Sequence, residues 1–417
     1  MLKPIIICLL IALVALTLPG CSVITGESIG GPAGEEIPVN TEFGRMLRYV
    51  PASVFEEHDL WFGNPELVKK INELEDFKSI DEAIAWVEEM KKQAEEDWPE
   101  EVLKKAWGGL SEAGLSGLNI VRWPELYGLV GFDVMSVDRI IYGDVIPPHG
   151  FSVLEGEFDE AVIGQKLMEL GYTKTDYSQY SYYGIRDDFK IDIKDPLSRI
   201  VMASMNRIAI LDDLIILSPM TADVTGIFDA MSGNTPSVID NAACRALADS
   251  LGDVLMATLT TSERIIYSDP SAQEERPMMY DFTVPADWGT LRGYEMAALG
   301  YRADGDNRYF DIALYYRDKS TAVADGREIV NRMQTWKMGT YVGGTIRPDD
   351  SFMFTNWWQP GEPAVTAYGD GAVLKITCYP VSEVPRWIST LIGSSGIPFR
   401  DVLFLAPVPS EYVGKNS

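Results

Sequence analysis

Between residues 159 and 170 the apolar side chains fall at Val162, Ile163, Leu167 and Leu170, a spacing that lines one face of a helix. Gly171 follows, where a glycine ends helices readily. Elsewhere the pattern alternates. Over Tyr309–Tyr316, Phe310, Ile312 and Leu314 take one side and Asp311, Ala313 and Tyr315 the other, as in a strand. The same two periods predict strands near 138–142, 151–158, 180–185, 207–210, 214–217, 254–260, 372–378 and 402–406. They predict helices near 221–231, 241–250, 322–336 and 382–391. Residues 46–51 read as extended. Asn64-Pro65-Glu66 and the Ser79/Glu82 pair open helices in a small helical segment from 64 to about 130.

The elements repeat an order of strand, helix, strand, then strand, helix, strand. The fold class expected is α+β: tandem ferredoxin-like (split βαβ) antiparallel sheets with helices packed on one face, plus the N-terminal helical segment. A polar break over 261–287, holding Asp269-Pro270 and Glu274-Glu275-Arg276-Pro277, divides the body into 43–268 and 278–410.

The start of the chain has a different texture. Lys3 precedes an apolar run from Ile5 to Leu18, broken only at Thr17, that suits an export signal better than a bilayer-spanning helix. It ends in Leu18-Pro19-Gly20-Cys21, which resembles the lipobox of bacterial lipoprotein precursors. That resemblance implies a signal peptide at 1–20, cleavage after Gly20, and lipidation of Cys21. The chain is then held at the membrane by an acyl anchor, outside the cytoplasm in the bacterial cell envelope. Residues 21–42, rich in Gly, Ser, Glu and Pro, read as a flexible tether. In the body, Gly131-Phe132-Asp133 with Val137-Asp138, and Gly156-Glu157-Phe158-Asp159 with Leu167, Gly171-Tyr172 and Tyr183-Gly184, resemble uncharacterised bacterial surface lipoproteins. That resemblance implies a solute, ligand or surface-interaction role and carries no active-site residues.

Charge narrows the partners. Sixty-two acidic residues against 35 basic ones give a net charge of -27 over 417 residues, which disfavours nucleic acid. Two of the four cysteines, Cys8 and Cys21, lie in or beside the leader. Cys244 and Cys378 are read as buried thiols, with one long-range disulfide as the alternative. Two histidines, His58 and His149, cannot supply the close-spaced ligands of a zinc site. Gly108, Gly109, Gly114 and Gly117 match no phosphate loop. No motif calls for a cofactor.

Three groups of residues remain as candidates for a site. Asp304, Asp306 and Asp311 are weak calcium candidates, better read as an acidic hairpin turn. Glu155, Glu157 and Asp159 could supply the paired carboxylates of a glycosidase, although alternation on a solvent-facing sheet gives the same pattern. Aromatic residues cluster at Tyr172, Tyr177, Tyr180, Tyr182 and Tyr183, and again around Trp357-Trp358. Of these, Tyr180, Tyr182, Trp357 and Trp358 are the candidate contacts for a glycan or an envelope protein, although the two tryptophans read more readily as core plugs between the sheet and a long loop. The leading expectation is a lipid-anchored binding or interaction protein. An envelope hydrolase and a solute-capture protein with a hinge near 261–287 are the alternatives.

Overall fold

The computed structural model describes residues 39–71, scattered positions between 77 and 89, 123–143, 150–263, 405, and 288–381 apart from 306, 336, 343, 344, 354, 356 and 357. The leader, Cys21, Cys8, His149, Asp306, Trp357, most of the helical segment between 72 and 122, and the elements expected near 382–391 and 402–406 lie outside the described residues.

The chain enters through α1 (Glu42–Met46), capped by Thr41, whose hydroxyl accepts from the Gly44 N–H at 3.1 Å. A 3-10 turn (Leu47–Tyr49) and α2 (Ala52–Glu57) follow. Residues 46–49 are therefore helical, where an extended segment was expected. Phe43, Met46 and Leu47 are spaced for one helical face, and all three are buried. Next come β1 (Leu60–Gly63), α3 (Pro65–Ile71), α4 (Trp123–Val130), β2 (Val137–Gly143) and β3 (Phe151–Gly156). After α5 (Glu160–Glu169) come β4 (Thr173–Tyr177), β5 (Tyr180–Gly184), α6 (Ser198–Val201), β6 (Arg207–Ile210) and β7 (Leu214–Ser218). Then α7 (Thr221–Met231) and α8 (Ala242–Leu251) lead to β8 (Met256–Thr261). The rest comprises β9 (Met296–Asp304), β10 (Asn307–Tyr316), α9 (Lys319–Thr335), a separate hairpin of β11 (Lys337–Val342) and β12 (Thr345–Met353), β13 (Trp358–Pro360), β14 (Ala364–Tyr368) and β15 (Gly371–Pro380).

Thirteen of the described strands form one antiparallel sheet, in the order β13-β15-β10-β9-β8-β1-β2-β3-β7-β6-β5-β4, with β14 also on β15. This differs from two ferredoxin-like units. A split βαβ leaves one strand between the two that its helix connects. Here α5 links β3 to β4 across three intervening strands, β7, β6 and β5. The helices α7 and α8 likewise link β7 to β8 across β3, β2 and β1. The polar break near 261–287 interrupts the chain but not the sheet, because β8 and β9 on either side of it pair directly from Met256↔Tyr301 to Thr261↔Met296.

Helices cover both faces of this sheet, not one. Alternation along each strand sends successive side chains into two separate cores. Leu60 and Phe62 of β1 join one core, and Trp61 the other. Ile215 and Leu217 of β7 oppose Leu214 and Ile216 in the same way. One core is filled by Val224, Ile227 and Phe228 of α7 and by Cys244, Leu247 and Leu251 of α8. The other takes Ile163 and Leu167 of α5 and Ile329 and Met333 of α9. Side-chain caps set the helix starts. Asp159 accepts from Val162 N–H at 3.0 Å to open α5, and Asn241 accepts from Ala243 N–H at 2.9 Å to open α8.

Cys244 and Cys378 are both free thiols, and they lie in different cores on opposite sides of the sheet. Burial pushes Cys244 up to about 12, and Cys378 is also raised well above the ordinary thiol range, by burial and then by the charge of Asp311.

Candidate functional site

Two of the predicted contact residues sit on the outermost hairpin. Strands β4 and β5 pair from Thr173↔Gly184 to Tyr177↔Tyr180 around a two-residue turn, with Ser178 at φ 54°. Tyr180 is half-buried and stacks on Phe228 of α7, with ring centroids 4.7 Å apart. Tyr177 stacks on the same ring at 6.2 Å, and its hydroxyl donates to Asp229 Oδ2 at 3.0 Å. That bond raises the Tyr177 phenol above its usual value. Tyr180 thus anchors the hairpin to the body. Tyr182, also half-buried, lines a concavity of about 460 Å³.

This concavity is shared by Thr173 and Thr175 of β4, Tyr182 and Gly184 of β5, Arg207 of β6, and the segment Ile185, Arg186, Asp187 and Lys190. Local geometry explains how that segment comes to line it. Asn206 donates its side-chain amide to the Asp187 carbonyl at 3.3 Å and to the Lys190 carbonyl at 2.9 Å. Phe189 turns the backbone with φ 61° and donates its N–H to the Pro219 carbonyl at 3.1 Å. Each cation has a carboxylate beside it. Arg207 pairs with Asp188 at 2.7 Å and also donates to Thr221 Oγ1 at 2.8 Å. Arg186 pairs with Asp195 at 3.4 Å, and Lys190 with Asp187 at 3.7 Å. The wall therefore offers three cations paired with carboxylates, of which Asp187 also lines the concavity, together with two threonine hydroxyls and a tyrosine. Its size is that of a small-ligand site.

The other candidates are placed differently. Trp358 is 2% exposed, and its ring packs on Tyr301 and Phe310, so it faces the core rather than solvent. Asp304 is exposed at the turn between β9 and β10. Asp311 is fully buried, bonded to Thr377 at 2.6 Å and Arg302 at 2.8 Å, with Lys375 at 3.4 Å. Among the described residues no group of three or more His, Cys, Asp or Glu is arranged to hold a metal ion. Glu155 is buried, and guanidinium groups occupy both of its oxygens. Arg45 donates to Oε2 at 2.6 Å and Arg139 to Oε1 at 2.7 Å. Glu42 and Glu66 extend this network through Arg139, each at 2.7 to 2.8 Å. Glu157 is exposed, and Asp159 is spent on its helix cap. No helix of the described residues is long and apolar enough to cross a membrane.

Sequence reasoning missed Arg186, Lys190, Arg207, Thr173 and Thr175. The first two lie in a loop that the Asn206 side chain and the Phe189–Pro219 bond hold closed, and Arg207 arrives through the β5–β6 pairing Gly184↔Arg207. The nearby tyrosine cluster was the available signal.

No protein-family description matches the chain, and no curated protein does. Solved structures of TP0453 are weakly similar to it. Crystal form III aligns with a TM-score of 0.29 at 7% identity, over 83% of this chain and 98% of that one. Form IV gives 0.31 at 8%, over 82% and 96%. Form I gives 0.28 at 8%, over 83% and 97%.

Proposed function

We propose that this chain is a lipid-anchored extracytoplasmic binding protein of a bacterial envelope, and that its body takes a polyhydroxylated ligand of glycan type at the Tyr182 concavity without altering it covalently. The location is supported by the lipobox-like Leu18-Pro19-Gly20-Cys21 behind an apolar run. The ligand class is supported by one observation: a concavity of about 460 Å³ whose wall brings three cations, the Asp187 carboxylate and two threonine hydroxyls beside an aromatic ring. Sugars present hydroxyls that both donate and accept, and an apolar ring face that stacks on tyrosine. A purely anionic ligand is less well matched, because each lining cation already has its carboxylate.

Titration of the full chain with soluble glucose and N-acetylglucosamine oligosaccharides, followed by calorimetry and by NMR of the sugar, tests the site. Binding that weakens about fivefold to tenfold in Tyr182→Ala, with the sugar recovered intact, is expected for loss of one stacking contact. No binding, or binding indifferent to Tyr182→Ala, overturns the ligand assignment. Metabolic labelling with a fatty-acid analogue tests the anchor, and label that persists in Cys21→Ser overturns it.

A further inference from the structure

We propose that β4 is a self-pairing edge, and that two copies of this chain join through it in an antiparallel ladder centred on Thr175, extending one sheet into the next. The proposal rests on the hairpin alone and is independent of the ligand reading.

Strand β4 is the last strand of the described sheet and pairs there only with β5. Its residues Thr173, Lys174, Thr175 and Asp176 are exposed. Tyr177 and Tyr180 flank a two-residue turn, so they form the hydrogen-bonded pair that closes the hairpin. By the alternation of an antiparallel ladder, the main-chain groups of Thr173, Thr175 and Tyr177 then point inward to β5. Those of Lys174 and Asp176 point outward. An incoming strand must bond to Lys174 and Asp176.

Charge then selects both the partner and the register. With the twofold axis at Thr175, Lys174 of each copy lies directly opposite Asp176 of the other. Two hydrogen-bonded pairs form, each also an opposite-charge pair. Moving the axis to residue 174 sets lysine against lysine, and moving it to 176 sets aspartate against aspartate. A shift by a single residue misaligns the outward N–H and C=O groups. Thr173-Lys174-Thr175-Asp176-Tyr177 is thus complementary to itself in one register. Two of the devices that blunt an edge are missing from this strand: it holds no proline, and its pairing with β5 shows no bulge. Lys174 does have neighbours on its own copy, Glu160 at 3.7 Å and the Tyr183 ring at 5.5 Å. Both Lys174 and Glu160 are about half exposed in that pair, which holds the lysine weakly and leaves it free to exchange.

The test is sedimentation equilibrium of the full chain in detergent over a wide concentration range, with two charge reversals and their combination. The wild type is expected to dimerise. Lys174→Asp and Asp176→Lys each place like charges opposite one another and weaken the dimer at least fivefold, while the double variant restores it. Independently, Thr175→Cys under copper-catalysed air oxidation is expected to give a covalent dimer, since a cross-strand pair lies within disulfide reach. Thr173→Cys, which faces residue 177 of the other copy, is expected to give none. A wild type that stays monomeric overturns the proposal. So does a dimer that ignores the single reversals, or one that Thr173→Cys traps as readily as Thr175→Cys.

Discussion

Replacing Trp358 with alanine separates a core role from a surface role at the residue that most resembled a binding platform. The indole is 2% exposed and contacts Tyr301, whose ring stands at 87° to it, and Phe310. A ring of this size removes roughly 150–250 Å² from water. At about 25 cal/mol per Å² that corresponds to about 4–6 kcal/mol. Strand β13 has three residues and pairs with β15 at the end of the sheet, so its neighbours can relax into part of the space. The expected loss is therefore at the low end for aromatic truncation, about 3 kcal/mol. In a protein of this size each kcal/mol moves the melting temperature by about 2 °C, so Trp358→Ala should melt about 6 °C lower. Trp358→Phe keeps an aromatic contact with Tyr301 and should lose about 2 °C. Differential scanning calorimetry of the three proteins is the assay. A change below about 1 °C in Trp358→Ala would mean that the ring carries no core packing, and the burial argument would fail.

Three other perturbations follow from the same geometry. Glu155→Ala removes the buried carboxylate between Arg45 and Arg139, which keep Glu42 as a shared partner, and should destabilise by about 2 kcal/mol, read by urea unfolding; Glu155→Gln, which keeps the shape but loses the charge, should cost less. Asp318 caps α9 by accepting from the Thr321 hydroxyl at 2.6 Å, the Ser320 hydroxyl at 2.7 Å and the Thr321 N–H at 2.7 Å, and these bonds hold its carboxyl below the usual range. Its stabilisation is therefore present above the unfolded value near 4 and lost as pH falls through the lowered folded value; acid melting curves of wild type should drop in that window, and those of Asp318→Asn should lack this component. The raised, buried thiols of Cys244 and Cys378 should resist alkylation at pH 8 in the folded protein and label fully in urea, as peptide mapping by mass spectrometry would show.

How much of this was legible depended on burial. Helix α5 declared itself because one face is buried and one is wet. Strand β10 was read from its alternating residue types, although residues 310–316 are buried on both faces. Strand β1 escaped notice because Leu60-Trp61-Phe62-Gly63 is buried on both faces and has no alternation to read. Strand β4 escaped for the opposite reason: Thr-Lys-Thr-Asp-Tyr is exposed along most of its length and looks like a loop. Strand β9 begins Met-Ala-Ala-Leu-Gly, small residues that let α8 approach, with Gly300 against Leu251 and Val254. Once those three strands are missed, the sheet reads as two small units. The concavity was legible only through Tyr182, since its cations meet through pairing and a loop brace rather than through spacing in the chain.

The position of β1 also governs when the sheet can form. Its two ladder partners are β2, with Leu60↔Gly143, and β8, with Leu60↔Leu259. Closing the second contact joins segments about 200 residues apart, which costs roughly 5 kcal/mol of chain entropy before any burial compensates. A sheet whose middle is stitched by such distant segments assembles slowly. It cannot grow outward from the first strand as the chain emerges, because β1 lacks one neighbour until residue 261 has arrived. Until then the edge of β1 that pairs with β8 stays open. The nascent chain therefore needs either protection or an unfolded passage during the interval in which the first part of the sheet waits for its other side.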